Sequence, residues 1–158
     1  MKPFVSILIP CYNAEKWIST AIKSALSQTY TECEVIVVDD GSIDGSVAEI
    51  QKFEDRITWE TGPNQGGNPT RNRLLELARG EWVSYLDADD YLLPGKVEHQ
   101  VKASQKKPDF DVFYSPSLIV THQDNSTEER IQPIPEPKDS YALLATWDLP
   151  QTNSPLWR

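Results

Sequence analysis

Cysteine and histidine are scarce in this sequence, with two residues of each type among 158. Cys11 and Cys33 lie in or beside apolar stretches, and neither belongs to a cluster with the spacing of a metal site. We expect both to be reduced thiols of the core, because unpaired cysteine is among the most frequently buried residue types. The cysteines therefore indicate neither a metal centre nor a disulfide framework.

Basic residues and long hydrophobic stretches are also lacking. The 15 lysine and arginine residues are outnumbered by 24 acidic residues, which gives a formal net charge of -9. This balance disfavours non-specific binding to nucleic acid or to an anionic membrane, and it favours a cationic ligand or a metal ion. The apolar stretch at residues 3–12 is too short to span a bilayer and lacks the flanks of a signal peptide. We therefore expect no nucleic-acid partner and no transmembrane segment in this chain. The expected location is the cytoplasm, or the inner face of the membrane for the protein at full length.

The remaining composition is that of a globular domain, with 39% hydrophobic and 25% charged residues. Strand-like and helix-like segments alternate along the chain. The predicted strands are residues 4–10, 34–40, 56–60 and 82–87, and the predicted helices are residues 14–27, 47–53, 70–80 and 94–107. Asn13 is placed to cap the first helix, and Gly80 to close the third. The alternation predicts an α/β fold with a mostly parallel sheet flanked by helices on both faces.

Polar clusters follow three of the predicted strands. They are residues 10–13, residues 39–42 and residues 87–90, after the first, second and fourth strands respectively. In open α/β sheets, ligands bind beyond the carboxyl ends of the strands. The three clusters therefore predict one binding site on a shared edge of the sheet.

The residue types in these clusters indicate what such a site binds. Asp87 and Asp89, in an Asp-x-Asp step, can direct two carboxylates at a hard divalent cation, which keeps waters or phosphate oxygens as its other ligands. Asp40 can accept a hydrogen bond from a base or a ribose, and Tyr12 can stack against a base. Arg71, near the start of its helix, can donate two hydrogen bonds from its planar guanidinium to phosphate oxygens. Together these residues predict a site for a metal ion and a nucleoside diphosphate.

Four segments, in order, resemble the motifs of glycosyltransferase family 2. They are "VSILIPCYN", "SALSQTY", "EVIVVDDGSIDGS" and "NQGGNPTRNRLLELARGEWVSYLDADD", and they cover about the first two thirds of the chain. The resemblance implies an inverting enzyme with a GT-A, Rossmann-like fold. It also implies a nucleotide-diphosphate sugar as donor, and a saccharide or lipid-linked molecule as acceptor.

The resemblance also implies roles for individual residues. Pro10, Tyr12 and Asp40 would contact the nucleoside, and Arg71 would lie beside the nucleotide. Asp87 and Ala88 would lie near the ribose or the sugar diphosphate. Asp89 would bind Mg²⁺ or Mn²⁺, with Asp87 as the second candidate for the metal.

The chain departs from the family pattern in two places. Leu74 replaces the glycine that often follows the family's Ala-Arg-Asn step. The acidic general base of a later motif has no counterpart after Asp90, so the catalytic residue is unknown. We therefore expect a fragment, truncated before the acceptor-side region and inactive in transfer by itself. Residues 1–122 would form the nucleotide-sugar-binding core, and residues 123–158 a partial connection to the acceptor side.

The sequence after residue 110 predicts a few further elements. Residues 111–122 predict one or two strands, residues 123–130 a polar turn, residues 131–140 an extended linker and residues 141–147 a short helix.

A nucleotidyltransferase-like enzyme is one alternative function, although "PCYNAEKW" lacks the glycine-rich basic phosphate loop that such an enzyme would carry. A non-catalytic module that binds nucleotide sugars is the other.

Overall fold

A computed structural model of the protein describes residues 2–123, 126–133 and 155–158. The strands are β1 (Val5–Cys11), β2 (Cys33–Asp39), β3 (Thr58–Thr61), β4 (Trp82–Tyr85), β5 (Val112–Phe113), β6 (Ser117–Gln123), β7 (Ser126–Gln132) and β8 (Leu156–Trp157). The helices are α1 (Ile18–Leu26), α2 (Ser46–Gln51), α3 (Gly67–Leu77) and α4 (Lys96–Lys106). All eight elements predicted for residues 4–107 are present, with ends that differ by a few residues.

The central sheet has the strand order β3-β2-β1-β4-β8-β5. Strands β1 to β4 are parallel to one another, which confirms the predicted α/β fold with a mainly parallel sheet. Strand β8 lies between β4 and β5 and is antiparallel to both. Strands β6 and β7 form a separate antiparallel hairpin. The carboxyl ends of β1, β2 and β4 therefore meet at one edge of the sheet.

The core lies on both faces of the sheet because side chains alternate along each strand. In β1, Ile7 and Ile9 belong to the larger cluster, which includes Ile18 and Ile22 of α1. Leu8 points to the opposite face, where it belongs to a smaller cluster with residues of β2 and α3. Helices thus cover both faces of the sheet, and the polar clusters that follow β1, β2 and β4 lie at its carboxyl edge.

Two predicted helix ends are wrong. Helix α1 begins at Ile18 rather than at residue 14, and Asn13 does not cap it. Asn13 has a φ of 50°, outside the extended region that an N-cap uses, and its side-chain oxygen accepts the backbone N–H of Ile43 instead. Gly80 does not close α3, which ends at Leu77. A Cβ at Gly80 would lie 2.5 Å from the backbone nitrogen of Ser6, so glycine is needed there for close approach to β1.

The third helix begins earlier than predicted, at Gly67. Pro69 is tolerated because the first-turn N–H groups of a helix have no partner within it. The polar turn predicted for residues 123–130 is also wrong in part, since residues 126–130 belong to β7, a charged and exposed strand that pairs with β6. The predicted helix at 141–147, and the linker beyond residue 133, lie outside the described residues.

Candidate functional site

A cleft of about 650 Å³ lies at the carboxyl edge of the parallel strands. Its walls come from the segments that follow β1, β2, β3 and β4. The lining residues are Pro10, Cys11, Tyr12, Asn13, Ala14, Trp17, Asp40, Asn64, Gly66, Gly67, Thr70, Arg71, Asp87, Ala88 and Asp89. The fold thus brings together every residue for which the sequence predicted a nucleotide or metal contact.

Asp40 lies just beyond the end of β2 and is only 7% exposed. Its two carboxylate oxygens accept backbone N–H groups from the loop after β3, at 2.8 Å from Gln65 and 2.9 Å from Gly66. A carboxylate has about four acceptor positions, so Asp40 can still accept a hydrogen bond from a ligand in the cleft. Asp40 therefore holds the loop before α3 in place, and its carboxylate can also accept a hydrogen bond from a ligand in the cleft.

Its neighbour Asp39 turns away from the cleft and is 1% exposed. It accepts the backbone N–H of Ser42 at 3.2 Å, the hydroxyl of Thr61 at 2.7 Å and the hydroxyl of Ser42. These bonds join the ends of β2 and β3 to the turn that follows β2. Asp39 is therefore part of the framework behind the cleft.

Arg71 projects from the first half of α3 towards the segment after β4. One guanidinium nitrogen, Nη2, lies 3.1 Å from Oδ1 of Asp87, and about a third of each side chain is exposed. The Nε of Arg71 is buried and has no hydrogen-bond partner among the described residues. The terminal nitrogens of the guanidinium have N–H groups beyond the one that donates to Asp87, and an anion in the cleft can bind these.

The three aspartates after β4 have different surroundings. Asp87 pairs with Arg71, whereas Asp89 is exposed in the cleft. Asp90 lines a second cavity, of about 510 Å³, on the other side of the segment after β4. Burial raises the pKa of Asp90, and repulsion from Asp89 and Asp87 raises it further. The charge of Asp89 therefore faces the cleft, while the more buried Asp90 faces away from it.

The acids of the cleft do not form a complete metal-binding cage. In residues 2–123, 126–133 and 155–158, no group of three or more histidine, cysteine and acidic side chains is arranged to hold a metal ion. Magnesium and manganese ions in nucleotide sites are usually held by one or two carboxylates together with substrate phosphates and waters. Asp89 and Asp87 fit that donor set, since both carboxylates line the cleft and Asp89 is exposed in it.

Cys11 also lines the cleft, and its thiol is not reactive. Burial raises the pKa of Cys11 to about 11, and the negative charge of Asp39 contributes to the rise. Cys11 and Cys33 are both free cysteines, as predicted. At neutral pH the thiol of Cys11 is protonated and acts as part of the core.

Sequence reasoning missed several lining residues, above all Trp17 and the segment from Asn64 to Thr70. The signal for the second group was the stretch "GPNQGG", a turn-rich segment directly after the third strand. Trp17 gave no such signal, because it lies within residues 14–27, which were predicted only as a helix. The structure leaves its side chain 53% exposed.

An open α/β sheet with a polar cleft at the carboxyl ends of its strands is the general form of a nucleotide-binding enzyme domain. The family model of Glycosyl transferase family 2 matches residues 6–149 of this chain. The chain therefore belongs to glycosyltransferase family 2, which confirms the resemblance drawn from the sequence motifs.

Individual relatives agree with the family match. An uncharacterized glycosyltransferase of Rickettsia typhi is 39% identical over 111 residues, which are 70% of this chain and 35% of the relative. The structure of TarS of S. aureus in complex with UDP-GlcNAc has a TM-score of 0.60 and 31% identity, and the match covers 69% of this chain and 33% of that one. The mannosyltransferase PcManGT of Pyrobaculum calidifontis, in complex with GDP-Man and Mn²⁺, has a TM-score of 0.63 and 24% identity over 71% of this chain and 35% of that one.

These neighbours are GT-A glycosyltransferases, so the fold of this chain is GT-A. The chain spans about a third of the length of these three proteins. Within the described residues, no helix is long and apolar enough to cross a membrane.

Proposed function

We propose that the cleft binds a nucleotide-diphosphate sugar, and that the protein transfers the sugar to an acceptor hydroxyl with inversion and with the help of a divalent metal ion. The observation that carries the proposal is the meeting, in one cleft, of a buried acceptor after β2, an arginine of α3 and two acids after β4. Membership of glycosyltransferase family 2 supports glycosyl transfer over the nucleotidyl transfer that the sequence left open.

The nucleoside would occupy the side of the cleft nearest to β2. Tyr12 is 52% exposed there and offers a ring face on which a base can stack. Asp40 would accept a hydrogen bond from the base or the ribose, with its carboxylate already oriented by two backbone N–H groups. Pro10 would form the floor beneath the nucleoside, since it lines the cleft at the end of β1.

The diphosphate would lie between α3 and the segment after β4. Arg71 would donate hydrogen bonds to phosphate oxygens from the guanidinium nitrogens that Asp87 does not engage. Asp87 and Ala88 would contact the ribose or the sugar diphosphate from the opposite wall. The ion pair between Arg71 and Asp87 would orient the guanidinium before the ligand arrives, which reduces the entropy lost on binding.

Asp89 would be the direct ligand of Mg²⁺ or Mn²⁺, with Asp87 contacting the metal or its waters. The exposure of Asp89 supports this order, because Asp87 already has a cationic partner. A bound divalent ion would stabilise the negative charge that develops on the leaving diphosphate. Charge complementarity supports the same assignment, since Arg71 supplies a single positive charge near three aspartates.

Direct displacement with inversion needs a general base that removes the proton of the acceptor hydroxyl. The described acids of the cleft are Asp40, Asp87 and Asp89, and the proposal gives each of them a role on the donor side. We therefore propose that the base is none of these three residues and lies outside the described part of the cleft, and that the acceptor is a saccharide or a lipid-linked molecule. The described residues would then bind the donor, and the base would act on the acceptor side.

The test is a thermal-shift titration of the 158-residue chain with UDP and with GDP, each in the presence of MnCl₂ and again in the presence of EDTA. A ligand that binds only the native state raises the melting temperature, and the rise grows with the logarithm of the ligand concentration above Kd. We expect a shift with at least one of the two nucleotides and MnCl₂, and a much smaller shift with EDTA. A shift of equal size with EDTA would contradict metal bridging, and no shift with either nucleotide would contradict the donor site in this chain.

A second experiment separates an enzyme from a binding module. Transfer would be measured by release of nucleoside diphosphate, for this chain and for a longer protein that contains it. Product from the longer protein alone supports a donor-binding part of an enzyme, whereas binding without product from either protein would favour a non-catalytic module.

A further inference from the structure

The wall of the cleft that carries the two exposed aromatic residues is an irregular loop, residues 12–17, here called the cleft loop. Tyr12 and Trp17 line the cleft and are 52% and 53% exposed. The loop precedes α1, and its residue Asn13 has a left-handed backbone with φ of 50°. Because the loop lies outside helix and strand, the position of its aromatic rings depends on contacts with other segments.

Those contacts come from residues 41–46, here called the supporting loop, which follows β2. Three consecutive backbone N–H groups of the cleft loop each donate to a side chain of the supporting loop. Asn13 donates to Oγ of Ser42 at 2.9 Å, Ala14 to Oγ of Ser46 at 2.8 Å, and Glu15 to Oδ2 of Asp44 at 3.1 Å. The supporting loop therefore holds the backbone of the aromatic wall through side-chain acceptors.

Two bonds run in the opposite direction. The backbone N–H of Ile43 donates to Oδ1 of Asn13 at 2.9 Å, and that of Gly45 donates to Oε2 of Glu15 at 3.0 Å. A Cβ at Gly45 would lie 2.7 Å from Cδ of Glu15, so a larger residue there would displace the Glu15 side chain that accepts this bond. The glycine of the "DGS" step thus lets Glu15 approach the supporting loop closely.

Asp44 is the residue that joins these bonds. Its Oδ2 accepts from Glu15, and its Oδ1 accepts the backbone N–H of Ser46 at 3.0 Å and the hydroxyl of Ser46 at 2.5 Å. Because the same Ser46 hydroxyl oxygen accepts from Ala14, Asp44 acts on two consecutive N–H groups of the cleft loop, one directly and one through Ser46. No residue of the supporting loop lines the described cleft.

We propose that Asp44 is a positioning residue for the nucleotide site, which acts through the cleft loop by holding Tyr12 and Trp17 in the orientation that receives the nucleoside. This inference rests on the proposed donor site. A preorganised wall loses less conformational freedom when a ligand binds, so loosening it lowers the affinity without removing any ligand contact. The hydrogen bonds of Asp44 also lower its pKa, chiefly those from Ser46, which keeps the acceptor ionised at neutral pH.

The test is a double-mutant cycle on nucleotide affinity, measured by calorimetric titration of UDP and GDP in excess MnCl₂. Asp44→Asn keeps the size of the side chain but has a single acceptor oxygen. The carboxylate accepts from Glu15 with one oxygen and from Ser46 with the other, so at least one of these bonds is lost. We expect affinity to fall about fivefold to tenfold, the effect of one or two hydrogen bonds. In a Tyr12→Ala background we expect Asp44→Asn to cause a smaller further loss, because part of its effect passes through that ring.

Two further variants make the outcome decisive. Glu15→Ala removes the bond to Gly45 from the other side of the contact, and it should lower affinity in the same way if Asp44→Asn does not fold. Asp55→Asn, an acid-to-amide change at an exposed residue between α2 and β3, should leave affinity unchanged. Equal losses from Asp44→Asn in the wild-type and Tyr12→Ala backgrounds would overturn the positioning role. A wild-type chain that binds neither nucleotide would instead overturn the donor site itself.

Discussion

Two acidic clusters at the edge of the sheet look alike in sequence but differ in the structure. The pair after β2 is buried, with Asp39 1% and Asp40 7% exposed, and each carboxylate accepts hydrogen bonds from two or more donors of the protein. The cluster after β4 contains exposed Asp89, half-buried Asp90 and Asp87, with Arg71 as the cationic partner of Asp87.

Under the proposed function, the difference separates acids that mainly support the fold from acids that would mainly bind the ligand. A buried carboxylate without donors would be very costly, so the β2 pair needs its network in order for the protein to fold. The β4 cluster leaves much of its charge facing water, where a divalent cation can neutralise it. Substitutions in the two clusters test this division.

The largest effect is expected for Asp39, at the centre of the buried network. Asp39→Ala removes the acceptor of Thr61 and of both donors of Ser42, and it should lower the free energy of unfolding by about 3 to 5 kcal/mol. Urea unfolding measures the loss. Asp89→Ala is the control, with an expected change within about 0.5 kcal/mol. Similar losses for both variants would contradict the division between the clusters.

The second effect concerns ligand binding at Asp89. Asp89→Asn keeps the shape of the side chain and removes its charge, and we expect affinity for UDP or GDP with MnCl₂ to fall by about 100-fold, or roughly 2.7 kcal/mol. Thermal stability without ligand should not change. Calorimetric titration measures the affinity, and Asp90→Asn, which removes a charge one residue away, should largely preserve it. If Asp90→Asn is as damaging as Asp89→Asn, the assignment of the metal ligand is wrong.

Much of the site could be predicted from the sequence because it depends on two regular patterns. The apolar stretches of β1 and β2 indicated buried strands, and strands that alternate with helices run parallel. These two inferences were enough to bring Tyr12, Asp40 and Asp89 to one edge.

The rest depends on contacts between residues far apart in the chain, which a local pattern does not reveal. The cleft-loop side chain of Asn13 bonds to Ile43, thirty positions away, although locally it is a good helix cap. Leu156 is fully buried between β4 and β5, but two apolar residues near Pro155 give no strand signal by themselves. The sequence predicted a nucleoside contact for Asp40 but not its bonds to Gln65 and Gly66, because these come from a loop 25 residues later.

Those bonds change the expected behaviour of Asp40. A purely ligand-binding residue could be replaced with a stability change within about 1 kcal/mol, as for an ordinary surface substitution. Asp40→Ala instead leaves the N–H groups of Gln65 and Gly66 without an acceptor, and we expect a loss of about 1 to 3 kcal/mol together with weaker nucleotide binding. Asp55→Ala, at an exposed acid, is the matched control for stability. Weaker binding with unchanged stability would show that the two backbone bonds matter little.

The smallest effect is expected for Asp90, and it depends on pH. Burial and repulsion from Asp89 and Asp87 raise the pKa of Asp90 in the folded protein, so the folded state favours the protonated acid. The contribution of Asp90 to stability is therefore greatest below its unfolded pKa, about 3.9, and is lost as the pH rises through its folded pKa.

Asp90→Asn removes a charge that the folded protein disfavours, so the variant should gain stability relative to the wild type at about pH 7 but not at about pH 4. The side chain is only half-buried, and solvent screening limits the gain to less than about 1 kcal/mol. Urea unfolding at the two pH values measures the difference. MnCl₂ with UDP should narrow the gap at neutral pH, because a cation at Asp89 offsets the repulsion that Asp90 experiences. An equal change at both pH values would mean that ionisation of Asp90 does not alter the free energy of unfolding. The charge of Asp90 would then be compensated within the protein, as the charges of the β2 pair are.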